Sequence, residues 1–414
     1  MLMSEKHLSI IIDAESLRVT LTGVGVYAKN LAENLAHQTV VKNLNFWVGT
    51  ELGTDLDNTI ARYSIVERPT KLRRILRRLF VNKPLRGIYV RLPKRIQKML
   101  NDIDPIKRGN GLLDLSDASQ WILHGPNFVI PQDFPGTKIV TIHDLSIYRH
   151  PSFHPADRVA FMRDQLPAAL KNADHVIAVS EFTKRELVEL FSVDIDRVSV
   201  VHNGLSDDFS EMPLPQHQRN LKSVNLDDTA FILVAGTIEP RKNLGCLLDA
   251  YCALDENLRS QYKLVIAGGR GWNCEADVKR INELSKSHDV LWLNYVELEL
   301  LRALYSGASV TVVPSHYEGF GFPILESMAC GTPVVCAENS SLIEVGGDAA
   351  LFFETDNSQH LASRMTEVLT VKGVAPALRI KGLAHAENFS WQRCAQETVA
   401  VYQIAQTRKA LEIG

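Results

Sequence analysis

The fold is indicated most clearly by residues 310–326, which read VTVVPSHYEGFGFPILE. Val310–Val313 is a short apolar run typical of a buried strand, a glycine-rich turn follows, and Pro323 is a normal helix-entry residue. The amides at 320–322 can therefore face a polar ligand from a helix N-terminus. Glu318 in the turn and Glu326 in the helix place two carboxylates beside that ligand. Carboxylates accept hydrogen bonds from vicinal hydroxyls, so a sugar or ribose is the expected ligand.

The same order of strand and helix recurs along the chain. Predicted strands are Leu8–Ile12, Leu44–Val48, Trp121–His124, Lys138–Ile142, His175–Val179, Val198–Val201, Phe231–Ala235, Lys263–Ala267, Val290–Leu293, Val310–Val313 and Pro333–Cys336. Predicted helices are Val24–His37, Pro155–Lys171, Glu181–Phe191, Leu244–Asp255, Glu275–Lys286 and Glu297–Ser306. The strands are rich in Val and Ile and scarcely alternate, which favours parallel sheets buried on both faces. An α/β fold with two doubly wound, Rossmann-like domains is predicted.

A polar stretch divides the two predicted domains. Residues 203–220 are mostly polar and include Pro213 and Pro215, so we expect a linker there. The predicted domains are 1–205 and 206–390. A C-terminal helix at about 391–414 is expected to pack back on the first domain. Ligands bind outside the carboxyl ends of the strands, so the chemistry is expected in a cleft between the sheets.

Composition excludes several classes of protein. The chain has 414 residues, 45% of them apolar and 22% charged, and a net charge of −3. These values argue against a disordered chain or a coiled coil, and they give no reason to expect nucleic-acid binding. No apolar run reaches the roughly 18 residues that suggest a membrane span. The six cysteines form no CxxC pair, which favours a reducing cytoplasmic compartment and no structural zinc.

One segment departs from the even distribution of charge. Residues 68–98 contain 12 Lys or Arg and no acid, so the remainder of the chain has a net charge of −15. Within it, residues 72–80 place leucine, isoleucine and phenylalanine on one face of a predicted helix. The opposite face is basic and comprises Arg73, Arg74, Arg77 and Arg78. This pattern predicts contact with an anionic membrane surface, the alternative being a solvated helix packed on its own domain.

Two candidate sites lie in the first half of the chain. Gly23 and Gly25 precede or open a helix after the first strand, where glycines let a backbone approach an anion closely. The alternative is a tight turn between strand and helix. His143 follows the strand that ends at Ile142, which is the edge where ligands bind. A lone histidine can equally be a satisfied surface or core residue.

A third candidate site follows the strand that ends at Ala235. Residues 236–243 read GTIEPRKN and begin with Gly236. Arg241 offers a planar fork of donors and Lys242 a point charge, a pair suited to a diphosphate. Taken alone, the loop could also be a solvated helix entry.

In this combination and order, the residues resemble glycosyltransferase family 4, which comprises retaining enzymes with the GT-B fold. The E-x7-E element of that family corresponds to Glu318 and Glu326. The similarity extends to the SEFT sequence at 180–183 and to Asn203-Gly204. The phrases HGPNFVIP (124–131), HDL (143–145) and GTIEPRKN are most similar to bacterial mannosyltransferases that extend lipid-linked O-antigen chains.

The resemblance implies that the domain 1–205 lies on the acceptor side and that the domain 206–390 binds the nucleotide sugar. It also implies a role for each candidate residue. Arg241 and Lys242 would hold the donor diphosphate and stabilise the leaving nucleotide. Glu326 would accept hydrogen bonds from the ribose hydroxyls. Glu318 would hold the donor hexose together with the backbone of Gly319, Phe320, Gly321 and Phe322.

The remaining roles concern the first half of the chain and the loop at 236. Gly25, with Gly23, would close on the diphosphate from the opposite domain, and Gly236 would line the donor site. His143 would contact the hexose near the reacting carbon. His143, Arg241, Lys242 and Glu318 are the expected catalytic set. The family also implies front-face displacement with retention, in which the departing phosphate deprotonates the acceptor and no metal is needed.

The expected function is transfer of mannose from GDP-mannose to a lipid-linked glycan of a cell-surface polysaccharide. The expected partners are a nucleotide sugar, a lipid-linked oligosaccharide, an anionic membrane surface and other polysaccharide-synthesis enzymes. The expected location is the inner face of the cytoplasmic membrane. Alternatives are another UDP- or GDP-sugar, such as glucose or rhamnose, or a GT-B-like sugar-nucleotide epimerase or phosphorylase.

Overall fold

The computed structural model describes residues 7–17, 23–49, 51–66, 115, 117–287 and 289–413. The described residues form two compact units. Unit 1 comprises those within Met1–Thr141, Ala168–Val176 and Val399–Gly414, and unit 2 those within Ile142–Pro167 and Ile177–Thr398. The predicted domain boundary near residue 205 falls between the last strand of the first sheet and the first strand of the second, so it differs from this division into units. It stays a prediction.

The first sheet has seven strands in the order β3-β2-β1-β4-β5-β6-β7. Its strands are β1 Leu8–Asp13, β2 Val41–Val48, β3 Glu51–Gly53, β4 Ile122–Gly125, β5 Thr137–Ile142, β6 His175–Ala178 and β7 Val198–Val200. Strand β1 pairs in parallel with β2 and β4, whereas β3 is antiparallel to β2. Ile10, Ile11 and Ile12 are fully buried, as expected for a strand covered on both faces.

The second sheet has six parallel strands in the order β10-β9-β8-β11-β12-β13. They are β8 Ala230–Ala235, β9 Tyr262–Ala267, β10 Val290–Asn294, β11 Val310–Val313, β12 Val334–Ala337 and β13 Leu351–Phe353. Counted from β8, this is the order 3-2-1-4-5-6 of a Rossmann sheet. The prediction of two doubly wound sheets is confirmed, and each of the 11 predicted strands is present.

The described helices that separate these strands include all six that were predicted. They are α1 Gly23–Leu35, α2 Leu56–Val66, α3 Ser146–Arg149, α4 Ala156–Asn172, α5 Glu181–Phe191, α6 Leu214–Lys222, α7 Leu244–Ala253, α8 Glu256–Gln261, α9 Glu275–Leu284, α10 Leu298–Gly307, α11 Phe322–Ala329, α12 Leu342–Gly346, α13 Ser358–Thr370, α14 Val374–Ala386 and α15 Trp391–Ile413. None of these helices has the length and apolarity needed to span a membrane.

The expected linker at 203–220 is partly wrong, because α6 begins inside it at Leu214 and continues to Lys222. Pro213 and Pro215 flank the first residue of that helix, where a proline fits, rather than marking an irregular segment. Leu221 is 3% exposed and packs in a core cluster with Leu226 and Phe231. The helix was missed because Leu221 is its single buried residue, so its apolar periodicity is weak.

The C-terminal part of α15 completes the core of unit 1. His124 on β4 is fully buried, and its two ring nitrogens lie 2.7 Å from the hydroxyls of Tyr402 and Thr141. The Thr141 hydroxyl in turn lies 2.9 Å from that of Tyr27 on α1. Lys409 forms an ion pair of 3.0 Å with Asp174.

Candidate functional site in unit 2

The topology of the second sheet brings two predicted loops together. The strand order reverses between β8 and β11, and the crevice beyond such a switch point is where ligands bind in these sheets. The loop 236–243 follows β8 and the turn 314–321 follows β11. A small pocket of about 20 Å³ lies at this point, lined by both loops and by Lys242.

Glu318 is the centre of a buried cluster of charges. Its side chain is 9% exposed and accepts hydrogen bonds from Lys242 Nζ and Ser315 Oγ, each at 2.7 Å. Arg241 forms an ion pair with the other carboxylate oxygen of Glu318 and donates a hydrogen bond of 3.0 Å to the Tyr317 carbonyl. The second arm of the guanidinium binds Glu239 at 2.7 Å. The site therefore holds two cations at fixed positions on two carboxylates.

These contacts keep the cluster charged. Burial alone would raise the pKa of Glu318, but the attraction of Arg241 and Lys242 outweighs it and lowers that pKa to about 2. Burial also opposes the charge of Arg241, and the carboxylates of Glu318 and Glu239 outweigh it, so its pKa is raised. Glu318 and Arg241 are thus ionised at neutral pH.

Glu326, the second carboxylate of the motif, has a different environment. It lies on α11 and accepts a hydrogen bond of 2.8 Å from the hydroxyl of Tyr305 on α10. Burial raises its pKa to about 7, against smaller opposing effects of Tyr305 and Lys242. The two motif carboxylates are therefore perturbed in opposite directions.

The turn between them presents its backbone N–H groups. The carbonyl oxygens of Glu318 and Phe320 both accept hydrogen bonds from Ser341, at 2.8 and 2.6 Å. Within the described residues, the N–H groups of 319–322 donate to no other residue. Phe320 and Phe322 contact each other edge to face, and Phe320 belongs to the core. The backbone N–H groups of this turn are thus available to a ligand.

Two glycines in the turn are required by its geometry. Gly321 has φ of 129°, a backbone conformation that other residues rarely adopt. A Cβ atom on Gly319 would collide with the carbonyl oxygen of His143. The structure therefore brings His143, which follows β5 and is half-buried, into backbone contact with the turn that bears Glu318.

The other predicted site residues have these locations. Gly236 is exposed beside Lys242, whose Nζ would lie 3.6 Å from a Cβ at that position. Gly23 and Gly25 form the first turn of α1 in unit 1, where Gly23 is exposed and Gly25 is buried. The four arginines at 73, 74, 77 and 78 lie outside the described residues. The assigned roles of all these residues stay predictions.

Several residues that support the site have a weak signal in the sequence or none. Glu239 lies in the loop 236–243, but its pairing with Arg241 depends on the positions of both side chains, which the sequence does not give. Ser315 stands three residues before Glu318, and this short spacing was the available signal. Tyr305 is 21 residues from Glu326 on another helix, so no local pattern could have revealed it.

Most of the chain is similar in sequence to glycosyltransferases. The family model described as Glycosyltransferase Family 4 matches residues 21–209, and the model described as Glycosyl transferases group 1 matches residues 217–381. The Escherichia coli protein named O-antigen chain mannosyltransferase B is 32% identical over 398 residues. The match covers 96% of this chain and 100% of the relative.

Comparison with solved structures confirms the fold. Sucrose-phosphate synthase from Thermosynechococcus elongatus superposes with a TM-score of 0.66 at 18% identity, covering 99% of this chain and 100% of that one. The Anabaena protein HepE, in complex with UDP-glucose, gives a TM-score of 0.66 at 15% identity, covering 96% and 100%. These neighbours are GT-B proteins, so the predicted GT-B fold is confirmed.

Proposed function

This chain belongs to glycosyltransferase family 4, and on that basis we propose that it transfers mannose from GDP-mannose to a lipid-linked glycan. The sugar and the polysaccharide follow from the Escherichia coli relative, which is named as an O-antigen chain mannosyltransferase. Working on a lipid-linked acceptor, the enzyme would act at a membrane surface.

The observation that carries the proposal is the buried cluster of Arg241, Lys242 and Glu318 at the switch point of the second sheet. Two cations in the loop after β8, held by a carboxylate in the turn after β11, suit the diphosphate of a sugar nucleotide. The adjacent free N–H groups of the turn can bind the sugar hydroxyls. Glu326, one helical turn further, suits the ribose.

The reaction proceeds on one face of the sugar. The bond from the anomeric carbon to the donor phosphate breaks, and the acceptor oxygen bonds to the same carbon on the same face. The acceptor proton passes to the departing phosphate oxygen. Arg241 and Lys242 stabilise the negative charge that develops on the nucleotide, and His143 positions the hexose.

A panel of nucleotides tests the donor. GDP should raise the melting temperature more than UDP or ADP, because stabilisation grows as RT ln(1 + [L]/Kd). Transfer from GDP-mannose should persist in EDTA. A chain stabilised by UDP alone, or active only with UDP-glucose, would contradict the proposed donor.

Matched lysine variants separate the site from general effects of charge. Lys242→Ala should reduce turnover on the order of 10²-fold, the usual loss for one electrostatic donor at a developing charge. Lys279→Ala removes a lysine on α9 that is 78% exposed, and turnover should not change. Equal losses in both variants would contradict the assignment of Lys242.

A further inference from the structure

Tyr317 connects the motif turn to the segment that follows His143. Its side chain is 2% exposed, and its hydroxyl accepts a hydrogen bond of 3.0 Å from the backbone N–H of Leu145. The same hydroxyl donates to the carboxylate of Glu186 on α5. Burial raises the pKa of Tyr317, so the hydroxyl keeps the proton that this second bond needs.

Glu186 is itself held in place. It is 4% exposed, and its other oxygen accepts a hydrogen bond of 2.7 Å from Arg149 Nε. Arg149 is the last residue of α3, while Leu145 directly precedes that helix. Tyr317 and Glu186 together therefore fix both ends of the short segment 145–149.

The two residues that precede this segment, His143 and Asp144, lie directly against the turn. Gly319 lies against the carbonyl oxygen of His143, and its own carbonyl accepts a hydrogen bond of 2.8 Å from Ser180. The hydrogen bond from the Leu145 N–H to the Tyr317 hydroxyl adds a directional link between the chain just after His143 and the residue just before Glu318.

We propose that Tyr317 is a positioning residue of the transfer reaction, acting through His143. This inference rests on the proposed function, in which His143 and Glu318 both contact the donor sugar. Loss of the hydroxyl leaves the Leu145 N–H without its acceptor and removes one of the two hydrogen bonds that hold Glu186, the bond from Arg149 remaining. The segment that bears His143 can then shift, and a displacement of about 1 Å can reduce turnover on the order of 10²-fold.

The test is a double-mutant cycle between Tyr317→Phe and His143→Ala. Tyr317→Phe should lower kcat by at least about tenfold while the Kd for GDP stays within about twofold. In the His143→Ala background, the same change should cause little further loss, because the two residues act as one unit. The cycle uses GDP-mannose or whichever nucleotide sugar the wild-type chain turns over.

Tyr251→Phe is the matched control for loss of a buried hydroxyl. Tyr251 is 1% exposed, and its hydroxyl lies 3.0 Å from the carbonyl oxygens of Tyr262 and Asp289, away from the site. This variant should lose stability with kcat unchanged. Equal kcat losses for Tyr317→Phe and Tyr251→Phe, or the same loss with and without His143, would overturn the proposal.

A second readout does not depend on turnover. The imidazole NMR signal of His143, assigned by its disappearance in His143→Ala, should shift in Tyr317→Phe and stay unchanged in Tyr251→Phe. An unmoved signal in Tyr317→Phe would overturn the inference. Failure of the proposed donor would instead appear in the wild-type chain, as absence of transfer from GDP-mannose.

Discussion

Glu318 and Glu326 show how two carboxylates of one motif acquire different properties. Glu318 is paired with two cations, and its pKa falls to about 2. Glu326 is buried beside a tyrosine hydroxyl, and its pKa rises to about 7. Near neutral pH the first is therefore ionised, whereas the second is only partly ionised.

The raised pKa of Glu326 predicts a specific dependence of stability on pH. Between its ordinary value of 4.5 and about 7, the folded chain keeps a proton that the unfolded chain has lost. The contribution of Glu326 to the free energy of unfolding should therefore fall as the pH rises through this window. The Glu326→Gln variant has no ionisable group at this position, so its stability relative to wild type should increase from pH 5 to pH 8. Urea denaturation at each pH measures this difference, and a difference that does not vary with pH would contradict the prediction.

Glu318→Gln should separate binding from turnover. The change removes one negative charge from Arg241 and Lys242, so both cations remain available to a diphosphate and GDP should bind at least as tightly. Turnover should fall on the order of 10²-fold, because the sugar loses a charged partner. Calorimetry with GDP and a single-turnover assay measure the two effects. Weaker GDP binding with unchanged turnover would contradict this division of roles.

At the scale of elements, α5 is capped by a residue that also contacts the site. Ser180 Oγ accepts from the Thr183 N–H at 3.1 Å and also binds the Gly319 carbonyl. Ser180→Ala should cost about 1 kcal/mol of stability, as loss of an N-cap does. It should also lower turnover, because the motif turn loses an anchor.

Asp255→Ala provides the matched control. Asp255 caps α8 by accepting from the Asn257 N–H at 2.9 Å. Its removal should reduce stability by a similar amount, measured by denaturant unfolding, with turnover unchanged. Equal kinetic effects of the two variants would show that the Ser180 bond to the turn has no functional consequence.

The elements that sequence could predict are those with a strong local pattern. Val310–Val313 was placed to the residue because a β-branched run bounded by proline has few alternatives. Strand β3 was missed because Glu51–Gly53 is three residues long and half-buried, so it shows no period. The sequence predicts a linker where helix α6 lies, because the prolines at the start of this helix resemble loop signals and its apolar face is narrow.

The site was predictable where its chemistry is contiguous in the chain. Glu318, Gly319 and Glu326 stand within nine residues, and Arg241 adjoins Lys242. Their partners are distant in sequence: the bond from Tyr317 to Glu186 spans 131 residues. Such pairings depend on the order of strands in the sheets, which a one-dimensional pattern does not reveal.

At the scale of the whole molecule, the uneven distribution of charge predicts binding to an anionic membrane surface through residues 68–98. Each Lys or Arg near an anionic leaflet contributes about 1 kcal/mol, screened over about 8 Å at physiological salt. Changing Arg73, Arg74, Arg77 and Arg78 together to Glu should abolish binding to anionic vesicles, while turnover on a short water-soluble acceptor persists. Vesicle co-sedimentation measures binding, and high salt should have the same effect.

A second set of four substitutions controls for net charge. Lys279, Lys286, Lys372 and Lys381 are exposed, and changing them to Glu alters the net charge by the same amount. Vesicle binding should remain. Equal losses from both sets would mean that overall charge, rather than the segment 68–98, determines binding.

The contact between His124 and Tyr402 has a consequence for synthesis of the chain. The two residues are 278 positions apart, so the core around β4 stays incomplete until α15 has left the ribosome. Translation of that interval takes on the order of tens of seconds. Throughout it, a nascent chain would display an imidazole and apolar side chains destined for burial, the kind of surface that chaperones bind. Unit 2 does not include residues 399–414, so its core does not depend on their synthesis. Unit 1, which contains the first residues to be synthesised, is therefore the unit whose core is completed last.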